Sequence, residues 1–176
     1  MTGLLLTALL TVVVHNTAEV PDADLTRAKA GVDRLLATAG VTIVWAESGD
    51  SAGFTIQVVI RRQPGGGPGA KSPSALGTTI GEDHSRGGVS FVFYGRVLTF
   101  AHAHKRPVGA VLGLAIAHEL GHVLLPAPAH TPSGLMKAEW NDDDIRHLAA
   151  GAAAFTSVQA TLMNTAIEGY RLNAAK

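Results

Sequence analysis

The sequence predicts an α+β domain, and three observations carry that expectation. An apolar, β-branched run opens the chain and leads into an amphipathic stretch. Three or four strand-like runs follow as far as Phe93, and beyond Tyr94 every regular pattern is helical. At 176 residues the chain suits a single domain, 1–176, with room for a real core. That core is expected to be aliphatic and alanine-rich, because apolar residues make up 47% of the chain and aromatic ones only 5%.

In chain order, Thr11-Val12-Val13-Val14 reads as a buried first strand. The wider apolar stretch Leu4 to Val14 falls short of the roughly 20 residues of a membrane span. Residues 1–10 read as the start of that strand or as a signal-peptide remnant, although no Lys or Arg precedes Arg27 to form a basic n-region. Asp22 and Asp24 introduce a helix, Leu25 to Ala39, with Leu25, Ala28, Val32, Leu35 and Leu36 on one face and Gly40 just past its end. Val41 to Trp45 and Phe54 to Ile60 read as strands.

Residues 63–74 are too rich in Gly and Pro for regular structure and read as a flexible loop. Ala75 to Ile80 reads as a short strand, Gly81 to Gly88 as a polar loop, Val89 to Phe93 as a strand and Tyr94 to His104 as a short helix. Pro107 suits the first position of a long helix ending near Leu125, where Pro126 and Pro128 stop it. After a loop to Trp140, helices are expected from about Asp142 to Ala150 and from Thr156 to Leu172.

Fourteen basic side chains against fourteen acidic ones leave no net charge, which argues against nucleic acid or an anionic membrane as the main partner. The absence of cysteine excludes disulfides, iron–sulfur clusters, thiolate metal sites and cysteine nucleophiles. Eight histidines without a cysteine leave imidazole as the prominent ligand type.

The long helix contains His118-Glu119-Leu120-Gly121-His122. Chance would give an H-E-x-x-H in about one shuffled sequence per hundred. Residues four apart lie one turn apart on the same helical face, so both imidazoles can reach one metal ion. Glu119, offset around the axis, is placed for a water on that ion, where a general base belongs. From Val108 to Leu125 every other residue is apolar or glycine, so the helix is expected to be buried. Buried His and Glu need partners, and a zinc ion supplies them. A metal-free His–Glu hydrogen-bond cluster is the plainer alternative. Gly109, Gly113, Ala117 and Gly121 form a small-residue stripe that implies close packing.

Two histidines leave zinc short of a third protein ligand. His130 follows the two prolines that reverse the chain and is the expected third ligand; Glu139, Glu168 and Asp142 to Asp144 are the alternatives.

This stretch resembles the metzincin-type zinc metallopeptidases, whose pattern is H-E-x-x-H-x-x-G-x-x-H followed by a methionine turn. His118, Glu119 and His122 match residue by residue, and His130 matches by role, two residues later than the pattern and with Leu125-Pro126 in place of the turning glycine. Met136, in Ser-Gly-Leu-Met, resembles the methionine beneath the metal. Tyr94-Gly95-Arg96-Val97 after a strand, and Trp140 after the methionine, resemble small bacterial zincin-like proteins.

The resemblance implies a mixed twisted sheet packed on the buried H-E-x-x-H helix, with C-terminal helices. It implies a zinc-dependent peptidase with Glu119 as general base, a peptide or protein substrate along the edge strand Ala75 to Ile80, and a secreted or periplasmic setting. A non-catalytic, zinc-stabilised binding module is the alternative function. His15, His84, His102, His104 and His147 are expected to be surface or packing residues, and Asn141-Asp142-Asp143-Asp144 a helix cap. Tyr94, Tyr170, Arg96 and Lys137 stay open as oxyanion partners.

Overall fold

A computed structural model describes residues 8–47, 54–64, 74–80, 88–152 and 154–174, the last four of these as backbone only. The start of the apolar run before residue 8, most of the glycine-rich loop and the polar loop with His84 lie outside the described residues.

The architecture is α+β. Strands β1 (Ala8–Asn16), β2 (Val41–Ala46), β3 (Thr55–Arg61), β4 (Gly77–Ile80) and β5 (Gly88–Phe93) form one sheet. Helices α1 (Asp22–Ala37), α2 (Tyr94–Ala103), α3 (Val108–Leu124), α4 (Asp142–Ala149) and α5 (Ser157–Ala174) complete it. Strand order is β2-β1-β3-β5-β4; the first four run parallel, and β4 closes one edge antiparallel to β5. The apolar run at the N-terminus is therefore an interior strand, with β2 on one side and β3 on the other.

Alternation decides which face is covered. Leu10, Val12, Ile56, Val58, Ile60 and Val92 share one face and are fully buried. α1 and α3 lie side by side with their buried residues in the same core cluster as these strands. The small-residue stripe allows that approach: a β-carbon on Gly113 would stand 2.8 Å from the Ala28 carbonyl oxygen, and one on Gly109 would stand 2.6 Å from that of Asp24. α3 is buried almost all round, as its composition requires.

Its start differs from expectation. Pro107 occupies the cap position with an extended backbone (ψ 132°), and the helix begins at Val108. No local side chain caps it; instead Asp24 of α1 reaches across to accept from the Gly109 amide at 3.1 Å. The carboxylate meets the positive end of the helix from a neighbouring element, an arrangement local sequence does not reveal.

At the C-terminal end, Asn141 caps α4 as expected. Its side chain accepts from the Asp143 and Asp144 amides, and Asp144 accepts in return from the Asn141 amide. α5 packs at the end of the sheet where β3 begins: Tyr170 meets Phe54 edge-on, and Asn164 donates to the Ala39 carbonyl at 2.7 Å. Among the described residues, no helix is long and apolar enough to cross a membrane.

Candidate metal centre

α3 carries His118 and His122 one turn apart, and their Nε2 atoms stand 3.1 Å from each other. The chain leaves the helix extended at Leu125 and returns so that His130 Nε2 lies 3.1 Å from His122 Nε2. One ligand nitrogen from each of the three falls within a 4.8 Å span. His118 and His122 are partly buried and His130 is exposed, so the cluster opens toward solvent on the His130 side.

Backbone hydrogen bonding fixes how His118 presents itself. Its Nδ1 lies 2.8 Å from the Leu135 carbonyl oxygen, which only accepts, so Nδ1 carries the proton of the neutral ring. Nε2 is left as a lone pair aimed at the other imidazoles. Burial lowers the pKa of both helical histidines to about 4. For His118 the Leu135 hydrogen bond pulls the other way and His130 adds to the lowering; for His122 both neighbouring imidazoles add to it. The pair is therefore neutral near pH 7, the state in which imidazole binds metal.

Glu119 faces β4. Its carboxyl is buried and its pKa is pushed up to about 7 by desolvation, against which a Thr79 hydrogen bond acts in the opposite direction. Thr79 Oγ1 lies 2.8 Å from Glu119 Oε2 and 3.1 Å from the hydroxyl of Ser90, itself fully buried on β5. Gly77, two residues earlier on the same side of β4, leaves room for the second carboxyl oxygen. A β-carbon there would stand 2.7 Å from Oε1.

Met136 is fully buried beneath the helix, its sulfur occupying the space where a β-carbon on Gly121 would project. The carboxylates considered as alternative ligands are engaged elsewhere. Asp142 pairs with His104, Asp143 with Arg146 and Asp144 with Lys137. Exposed Glu139 accepts from Ser74, and Glu168 lines a shallow groove on α5.

Of the groups left open as oxyanion partners, Arg96 and Lys137 have polar partners of their own, and the two tyrosines sit in different surroundings. Burial beside Asp24 raises the Tyr94 pKa, Tyr170 packs on Phe54, and Arg96 donates to the Ala75 carbonyl. Of the other described histidines, His15 pairs with Gln57 and His104 with Asp142, while His102 and His147 are exposed.

Sequence reasoning missed Gly77, Thr79 and the Leu135 carbonyl. Thr79 and Glu119 lie 40 positions apart and share no periodic pattern. A hint existed in Ser90, a lone hydroxyl between apolar neighbours in a strand. No family model matches the chain, and no curated protein matches it in sequence.

Proposed function

We propose that the protein is a zinc-dependent peptidase. The observation that carries this reading is the convergence of three imidazole nitrogens beside a buried glutamate on the same helix. Zn–N bonds of roughly 2.0–2.1 Å at tetrahedral angles put neighbouring ligand nitrogens about 3.3 Å apart. The two 3.1 Å separations to His122 come close to that requirement. The three nitrogens together span 4.8 Å, so His118 and His130 would draw closer to each other around an ion. Among the described residues the cluster contains three ligands and no fourth, the donor set of an open, catalytic site rather than a closed, structural one.

His118, His122 and His130 would hold the ion. Zinc, when bound, supplies Lewis acidity that polarises a carbonyl and makes a water acidic near neutral pH. Glu119 takes the proton as the water oxygen attacks the carbonyl carbon, and delivers it to the amine nitrogen as the C–N bond breaks. A carboxyl with a pKa near 7 suits both halves of that transfer. Thr79 holds Oε2, and Gly77 keeps bulk away from Oε1. Among the described residues β4 is the edge strand of the sheet, an edge to which an extended peptide substrate would add.

The test measures zinc content and cleavage of an unfolded protein mixture for the wild type and Glu119→Ala. The expected result is stoichiometric zinc in both and cleavage only by the wild type. Zinc without cleavage by the wild type would favour the binding-module reading. A folded wild type that takes up no zinc would overturn both.

A further inference from the structure

The triad accounts for three imidazoles but leaves Trp140 without a role, although this partly buried indole touches the same carbonyl and the same ring as the metal-binding cluster. Its Nε1–H donates to the Leu135 carbonyl oxygen at 3.1 Å, and the same oxygen accepts from His118 Nδ1 at 2.8 Å. A carbonyl oxygen has two lone pairs, and here both are used. The indole also meets the His118 ring edge-on, with centroids 5.4 Å apart and planes at 82°.

The chain around Trp140 is braced on both sides. Asn141, the next residue, begins the capping box of α4, and Lys137 ties the intervening segment to Asp144 at 2.5 Å. The Leu135 amide donates to the Ala154 carbonyl at 2.9 Å, which anchors the residue on the N-terminal side of its carbonyl.

We infer that Trp140 is a positioning residue for the triad: its indole N–H and ring hold the Leu135 carbonyl and the His118 imidazole in the orientation that turns Nε2 toward His122. Without the indole the carbonyl loses one donor, the ring loses one wall, and His118 gains access to its other tautomer, whose proton on Nε2 blocks ligation. The effect on metal affinity rests on the proposed metal centre; the effect on the tautomer does not.

The experiment compares wild type, Trp140→Phe and Trp45→Phe. Trp45 is the other tryptophan, also partly buried and hydrogen-bonded, its Nε1 donating to Asp33 on α1 at 2.9 Å. Long-range ¹⁵N–¹H spectra of the metal-free proteins read the His118 tautomer, and competition with a chromophoric chelator reads zinc affinity. We expect Nδ1–H alone in the wild type and in Trp45→Phe, and a mixture in Trp140→Phe. Zinc should dissociate roughly 10-fold more readily from Trp140→Phe than from the other two.

A Trp140→Phe protein with wild-type tautomer and affinity would overturn the proposal. So would its unfolding where Trp45→Phe stays folded, since the indole would then serve the fold rather than the triad. If the wild type takes up no zinc, the proposed function falls, and the tautomer spectra decide the role of Trp140 by themselves.

Discussion

Thr79 Oγ1 donates to Glu119 Oε2 at 2.8 Å, joining the edge strand to the carboxyl that the proposed mechanism uses as its base. The same hydroxyl faces Ser90 at 3.1 Å, so a chain of two hydroxyls from neighbouring strands ends on the glutamate. Thr79→Val keeps the shape and removes the donor. Turnover of a protein substrate should fall by about 10-fold or more, with zinc content unchanged, and Thr79→Ser should recover most of it. Full activity in Thr79→Val would show that Glu119 is held by packing alone.

Two glycines of α3 make contacts of different stiffness. Alanine at Gly113 would drive its β-carbon to 2.8 Å from the backbone oxygen of Ala28, which a packed helix cannot move. Stability should drop by about 1–3 kcal/mol in urea unfolding, with zinc uptake intact. Alanine at Gly121 meets the thioether of Met136 instead, a side chain with rotatable bonds. A smaller loss of stability is expected there. Zinc should nonetheless bind more weakly, because Met136 follows the residue whose carbonyl orients His118. The opposite ranking of the two variants in urea would contradict this account of the stripe.

Metal-free protein should show the burial of Glu119 in its pH dependence. The folded-state pKa is raised from 4.5 to about 7, so the folded protein holds this proton more tightly than the unfolded chain does. The resulting stability is fully present below pH 4.5 and is lost as pH rises through about 7. His118 and His122, lowered from 6.5 to about 4, act in the reverse sense: their contribution is present above pH 6.5 and is lost as pH falls toward 4. Subtracting Glu119→Gln from the wild type removes the histidine part. That difference should move against the wild type by about 3 kcal/mol between pH 4.5 and 7, measured by chemical unfolding in chelator. A flat difference would mean that the carboxyl is not desolvated.

Much of this molecule follows from short-range rules. Alternation in Ile56, Val58 and Ile60 marks the covered face of β3, and a helix without polar residues outside His118, Glu119 and His122 has to be the buried one. Spacing of four puts two imidazoles on one helical face in any context. The Asn-Asp-Asp-Asp cap of α4 is likewise local, since its donors lie within one turn.

The rest depends on contacts between distant residues, which leave no periodic trace. The sheet order puts Thr79 and Gly77 over Glu119, and the packing of two helices lets Asp24 cap α3 from 85 positions away. His130 reaches His122 through the path of an irregular loop, and the Leu135 carbonyl selects the His118 tautomer from a residue whose own amide is held by the Ala154 carbonyl. The sequence by itself determines which imidazoles share one helical face and which helix presents them. The tertiary structure decides which partners hold them, because a carbonyl oxygen or a hydroxyl becomes specific only when the fold fixes its direction.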